Sequence, residues 1–119
     1  MFTGIVDDVG TVSGIDKFSA GKKISIKSDF CKDLNISDSV AVNGVCLTIV
    51  KVNDDNFQVE IVEETLKLTN LNILEIDHSV NLEKCAKIGD RINGHIVTGH
   101  IEGKGEILKK TVNDMQTDL

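Results

Sequence analysis

Ten residues near the start of the chain, Thr3-Gly4-Ile5-Val6-Asp7-Asp8-Val9-Gly10-Thr11-Val12, recur without a gap as Thr98-Gly99-His100-Ile101-Glu102-Gly103-Lys104-Gly105-Glu106-Ile107, 95 positions later. A period of that size is a domain and not a solenoid unit, so the chain reads as one complete repeat plus the opening of a second. Each copy sets Thr-Gly before a mostly apolar pair, then acidic or small residues, a second Gly, and a polar and a β-branched residue. Glycines spaced this way suit a strand that bends or lets another backbone approach closely, because no Cβ is there to clash. Chance is the competing explanation, since Thr, Gly, Val and Ile are common here, but the matches are consecutive. The expected division is residues 1–97 as a first domain and 98–119 as the first strand of a truncated second repeat.

The 119 residues suit about one compact domain, and 40% hydrophobic with 27% charged residues is ordinary for a globular protein with a modest core. A net charge of −6, with no basic run longer than two residues, argues against nucleic acid or an anionic membrane as the partner, since both need clustered Lys and Arg. No apolar stretch approaches the ~18 residues of a membrane span, and Met1-Phe2-Thr3-Gly4 lacks the basic start of a secretory signal. A cytoplasmic location is expected. Cys31, Cys46 and Cys85 are odd in number and far apart, which suggests neither a disulfide framework nor a zinc site.

The pattern along the chain is mostly β. Alternation or β-branched enrichment marks strands at Gly4 to Val12, Lys23 to Lys27, Ser39 to Val52, Phe57 to Val62, Val80 to Glu83 and Gly99 to Leu108. Six short strands in so few residues favour an all-β barrel or sandwich. Asn53-Asp54-Asp55-Asn56 has turn chemistry, so Ser39 to Val62 reads as a hairpin. Asp29 to Leu34 and Glu63 to Asn70 support short helices, and Asp16 to Lys22 and Ile88 to Gly94 read as mobile loops.

In Val42-Asn43-Gly44-Val45-Cys46-Leu47-Thr48-Ile49, a strand after a bend at Gly44 puts the Cys46 thiol and the Thr48 hydroxyl on one face. Spacing alone leaves Cys46 either a functional thiol or a small buried hydrophobe. His95 and His100 have an odd separation, so in an unbroken strand they face opposite sides and cannot share a metal, and no metal site is expected. His100 stands where the first copy has Ile5, so a titratable ring replaces an apolar side chain at an equivalent place. Glu63 and Glu64 read either as acid/base groups at a barrel rim or as acids complementing a helix start. His78, in an acidic loop stretch, carries no assigned role.

Met1-Phe2-Thr3-Gly4-Ile5-Val6, Val42 to Thr48, Glu64-Thr65-Leu66-Lys67-Leu68-Thr69-Asn70-Leu71, Val80-Asn81-Leu82-Glu83 and Gly94-His95-Ile96-Val97-Thr98-Gly99-His100-Ile101 together closely resemble the riboflavin synthase family, over nearly the whole chain. The resemblance implies a six-stranded Greek-key β-barrel with one or two short helices, present twice in a full-length chain that assembles as a homotrimer. This sequence is similar to the first lumazine-binding barrel and the start of the second. Members of the family move a four-carbon unit between two molecules of 6,7-dimethyl-8-ribityllumazine, giving riboflavin and 5-amino-6-ribitylamino-pyrimidinedione, with no cofactor.

Carried onto this chain, the resemblance implies substrate contacts at Gly4, Ile5 and Val6, at Cys46, Leu47 and Thr48, at Glu60, Ile61, Val62, Glu63, Glu64 and Thr65, and at Gly99, His100 and Ile101. Backbone groups of Ile61, Val62 and the Gly4 strand would bond the pterin edge, with Glu64 and Thr65 reaching the ribityl hydroxyls. Cys46 and His100 are the implied catalytic residues, an imidazole being suited to proton transfer because it titrates near neutrality. Val45, where the motif usually offers a second cysteine or a small residue, should point away from the ligand. The second barrel's contributions have no counterpart here, so the 119 residues alone are expected to bind lumazine or riboflavin with little turnover and to pair as a homodimer. Association with lumazine synthase is a further expectation of the resemblance. A non-catalytic, antenna-type lumazine or flavin binder is the alternative.

Overall fold

The computed structural model describes all 119 residues. Six strands, β1 (Asp8–Phe18), β2 (Gly21–Lys27), β3 (Ser39–Val42), β4 (Val45–Val52), β5 (Asn56–Val62) and β6 (Ser79–Lys84), close into an antiparallel barrel in the order β1-β2-β5-β4-β3-β6. A helix, α1 (Glu63–Leu68), follows β5, and single 3₁₀ turns occupy Cys31–Asp33 and Asn70–Ile73. Two-residue strands β7 (Thr111–Val112) and β8 (Thr117–Asp118) pair only with each other. No helix is long and apolar enough to cross a membrane.

Alternation decides which side chains fill the barrel. Along β4, Val45, Leu47 and Ile49 are buried while Cys46 and Thr48 face outward. Ile24 and Ile26 of β2, Phe57, Val59 and Ile61 of β5, and Val80 and Leu82 of β6 complete one contiguous core. Val45 thus points inward.

Two strands turn corners. The register of β1 shifts between Val12 and Gly14, and that of β4 between Ile49 and Lys51. β1 pairs with β6 over Asp8 to Thr11 and with β2 from Thr11 onward, and β4 pairs with β3 over Val45 to Thr48 and with β5 from Ile49 to Val52, so each shift lies just beyond the change of partner. An extra residue at each corner increases local twist and lets one strand serve two neighbours, which closure of so small a barrel demands.

The halves of the barrel are copies of one another in conformation. Ser37 and Asp77 adopt φ of 76° and 75°. Ser37 N–H donates to the Ile49 carbonyl at 2.9 Å and Asp77 N–H to the Val12 carbonyl at 2.8 Å; Ile49 and Val12 return bonds to the Asp38 and His78 carbonyls, each at 2.9 Å. The stretches Leu34-Asn35-Ile36-Ser37-Asp38-Ser39-Val40 and Leu74-Glu75-Ile76-Asp77-His78-Ser79-Val80 carry this relation in sequence, and sequence reading missed it.

The number of barrel strands matches expectation, but not their boundaries. Ser39 to Val52 is two strands, divided at Asn43-Gly44, whose φ of 51° and 80° make the primed turn that Asn-Gly favours. The first strand begins at Asp8 instead of Gly4, because Gly4 turns through φ 83° and its amide is held elsewhere. Asp16 to Lys22 is mostly strand, with only Ser19 and Ala20 turning, since a Cβ-free Gly21 lets β2 lie against the Ile61 carbonyl of β5. Gly99 to Leu108 forms no strand. A strand needs a ladder to bond to, and a closed barrel offers no free edge.

Candidate functional site

The outward face of β4 is open on one side. Its pairing with β5 spans only Ile49↔Val59 to Val52↔Phe57, while Val45 to Thr48 pair with β3 alone. Across the gap, Glu60, Ile61 and Val62 pair with Lys23, Lys22 and Gly21 of β2. The splay follows from the β4 corner, and it leaves the outward residues Cys46, Thr48, Glu60 and Val62 flanking the stretch where β4 and β5 do not pair. Leu47 and Ile61, 6% and 1% exposed, send their side chains into the core, so only their backbones can serve a ligand.

The rim is set by α1. Glu63 N–H donates to the Ala20 carbonyl at 2.9 Å, and Leu66 anchors the helix in the core. Glu63 and Glu64 are exposed in its first turn, where acids complement the helix dipole, and Thr65 is half-buried. Lys23 Nζ lies 3.9 Å from Glu60 Oε1 on the outer surface.

The second copy of the repeat reaches this face at Cys46. Cys46 N–H donates to the Gly99 carbonyl at 2.8 Å. A Cβ on Gly99, at φ 79°, would sit 2.8 Å from Cys46 Cβ and 3.1 Å from Cys46 N, so only glycine permits this approach. Ile101 packs against the core, while His100 is exposed. Cys46 is half-buried; Cys31, by contrast, is enclosed and burial pushes its thiol up, away from reactivity. No three His, Cys, Asp or Glu side chains gather as metal ligands would.

The first copy of the repeat goes elsewhere. Thr3 N–H and Oγ1 donate to Glu83 Oε2 at 2.7 and 3.2 Å, and Gly4 N–H to Oε1 at 3.1 Å. Ile5 and Val6 are about half exposed. Gly4 and Val6 line, with Phe2, Gly44, Val97 and Gly99, a cleft of about 110 Å³ whose wall includes neither Cys46 and Thr48 nor Glu60 to Thr65. Glu83, the residue that seats this turn, was missed by sequence reading, and only its place in the Val80-Asn81-Leu82-Glu83 motif hinted at it.

The two copies are related by a local twofold. Phe2 and Val97, equivalent residues of the repeat, exchange backbone hydrogen bonds at 2.9 Å each. Gly4 and Gly99 share φ of 83° and 79°. Thr3 Oγ1 accepts from Ile5 N at 3.4 Å, and Thr98 Oγ1 from His100 N at 3.3 Å.

A larger groove of about 930 Å³ runs between Asp33–Ser39 and Lys84–Asn93. Asp7, Asp33, Asp38, Asp90, Lys84, Lys87 and Arg91 line it, a mixed-charge wall unsuited to a flat heteroaromatic ring.

Residues 3–85 match the family described as the lumazine binding domain. The chain is 40% identical to riboflavin synthase of Bacillus amyloliquefaciens, covering 100% of this chain and 57% of that one. It is 42% identical to riboflavin synthase of Mycobacterium tuberculosis, covering 92% and 56% respectively. Among solved structures it is similar to LumP complexed with 6,7-dimethyl-8-(1'-D-ribityl)lumazine, with a TM-score of 0.84 at 26% identity over 98% of this chain and 66% of that one. LumP complexed with riboflavin gives a TM-score of 0.82 at 27% identity, over 96% and 62%. The chain spans about half the length of the curated relatives it matches.

Proposed function

The chain belongs to the lumazine-binding-domain family, and from that membership we propose that it is the N-terminal portion of a riboflavin synthase. Its substrate is 6,7-dimethyl-8-ribityllumazine, bound on the Cys46 face, and residues 98–119 open a second lumazine-binding repeat. The observation that carries this reading is the twofold exchange of hydrogen bonds between Phe2 and Val97, with Gly99 seated on Cys46. By that symmetry, Gly4 to Val6 belong over the corresponding face of a second barrel, which accounts for their exposure here.

Two related barrels suit a reaction between two identical molecules. One lumazine loses a proton from its C7 methyl and the other takes a nucleophile at C7; transfer of four carbons then yields riboflavin and 5-amino-6-ribitylamino-pyrimidinedione. Holding both rings in register supplies roughly 7–11 kcal/mol of such a barrier, so few catalytic side chains are needed. The Cys46 thiol is the polar group nearest the bound ring and His100 the proton carrier. Backbone groups of Ile61 and Val62 bond the pterin edge, and Glu64 and Thr65 reach the ribityl chain. Identity near 40% to the synthases against 26–27% to LumP favours the enzyme over a non-catalytic antenna protein.

The same reading places the protein in the cytoplasm, makes the longer enzyme a homotrimer that can associate with lumazine synthase, and lets the 119-residue chain pair as a homodimer through its unpaired residues 99–108. Sedimentation as a monomer contradicts the dimer. The chain has no Trp or Tyr, so emission of bound lumazine is read without background. Titration is expected to show saturable binding with little riboflavin formed. Absence of binding, or riboflavin formed by the 119 residues at the rate of a full-length synthase, overturns the reading.

A further inference from the structure

We propose that the Thr98–Gly99 turn is a preformed socket for a carboxylate, which receives a glutamate at the β6-equivalent position of a second lumazine-binding repeat. The inference rests on the two-repeat reading above. It starts from Glu83, whose buried carboxylate takes three donors from the first copy of the turn: Thr3 N–H at 2.7 Å, Thr3 Oγ1 at 3.2 Å and Gly4 N–H at 3.1 Å. Two successive amides aimed at one point, with a hydroxyl beside them, form the concave nest that binds anionic oxygen.

The second copy repeats two features of this turn without the anion. Gly99 matches Gly4 in φ, and Thr98 repeats the hydroxyl contact of Thr3 to the amide two residues on. Val97 N–H is spent on Phe2, as Phe2 N–H is on Val97, which leaves the next two amides of each copy to find other acceptors. In the first copy that acceptor is Glu83. In the second, the Thr98 and Gly99 amides have no acceptor, and the Gly99 carbonyl alone is engaged, by Cys46. The second turn is therefore held in the anion-binding shape by contacts on its other side.

A carboxylate there would lock the turn from both sides. Gly99 would be fixed by Cys46 through its carbonyl and by the second repeat through its amide, so the glutamate would set the position of the cover over the lumazine face. The interaction joins the two repeats and is distinct from substrate contact.

The test is a titration of the ¹⁵N-labelled chain with sodium acetate, against sodium chloride and sodium phosphate at matched ionic strength. The Thr98 and Gly99 amide protons are expected to move downfield saturably with acetate, less with phosphate and not with chloride, toward the positions that Thr3 and Gly4 already occupy. In Glu83→Gln, the Thr3 and Gly4 amides are expected to move upfield. No acetate response at Thr98 and Gly99 overturns the socket, and an equal response to all three anions overturns its preference for carboxylate. Lumazine binding is read separately in the same samples: saturable binding with a silent Thr98–Gly99 turn removes the socket and leaves the family reading in place.

Discussion

The amide of Cys46 donates to the carbonyl of Gly99 at 2.8 Å, joining the middle of the first repeat to the opening of the second. Through this bond a feature visible only as a sequence repeat becomes part of the Cys46 face. The approach leaves no room for a Cβ, and φ of 79° strains any L side chain by about 1–2 kcal/mol. Gly99→Ala is expected to lift the cover and weaken lumazine binding about tenfold or more, measured by fluorescence titration. Unchanged affinity in a folded Gly99→Ala chain contradicts this arrangement.

Glu83 holds the N-terminal segment to β6 by three hydrogen bonds in a nearly closed site. Bonds to a charged acceptor are each worth about 1.5–3 kcal/mol, and stranded buried amides add to the loss. Glu83→Ala is expected to cost about 3 kcal/mol, lowering the thermal midpoint by roughly 10–20 °C. A fall of only a degree or two means that the clamp contributes little.

Asp8 gives the acid limb of stability a specific source. The Ser28 hydroxyl at 2.8 Å, followed by the Val9 and Asp29 amides, stabilises the carboxylate and lowers its pKa below the ordinary value. A group with a lower pKa in the folded state stabilises the fold above its unfolded pKa of about 4, and that contribution disappears as pH falls through the folded value. Ser28→Ala is expected to raise the Asp8 pKa toward the ordinary carboxylate range and to flatten the acid limb. NMR titration of the Asp8 carboxyl carbon reads the shift directly, and an unmoved midpoint assigns the effect to the amides instead.

The barrel was legible in the sequence wherever burial imposes a period of two. Val45, Leu47 and Ile49 alternate with Cys46 and Thr48, and the structure keeps that alternation. Boundaries were less legible, because Asn43-Gly44 splits a continuous apolar run through backbone conformation and not through polarity. Gly99 to Leu108 has strand composition without a strand, since composition cannot supply the neighbour that a ladder requires. Glu83 was hidden for a related reason: its partners lie about 80 positions away, and a buried acid on a strand looks like a solvated one until its donors are placed. The repeat revealed equivalent residues, but only the fold shows that one copy covers Cys46 while the other is seated on Glu83.

The most direct measurement is backbone amide shift mapping of the 119-residue chain during titration with 6,7-dimethyl-8-ribityllumazine. Saturable shifts are expected at Cys46, Thr48, Glu60 to Thr65 and Gly99 to Ile101, with Ile5 and Val6 unmoved. Shifts confined to the groove between Asp33 and Arg91, or no saturable shift at all, contradict a lumazine site on the Cys46 face.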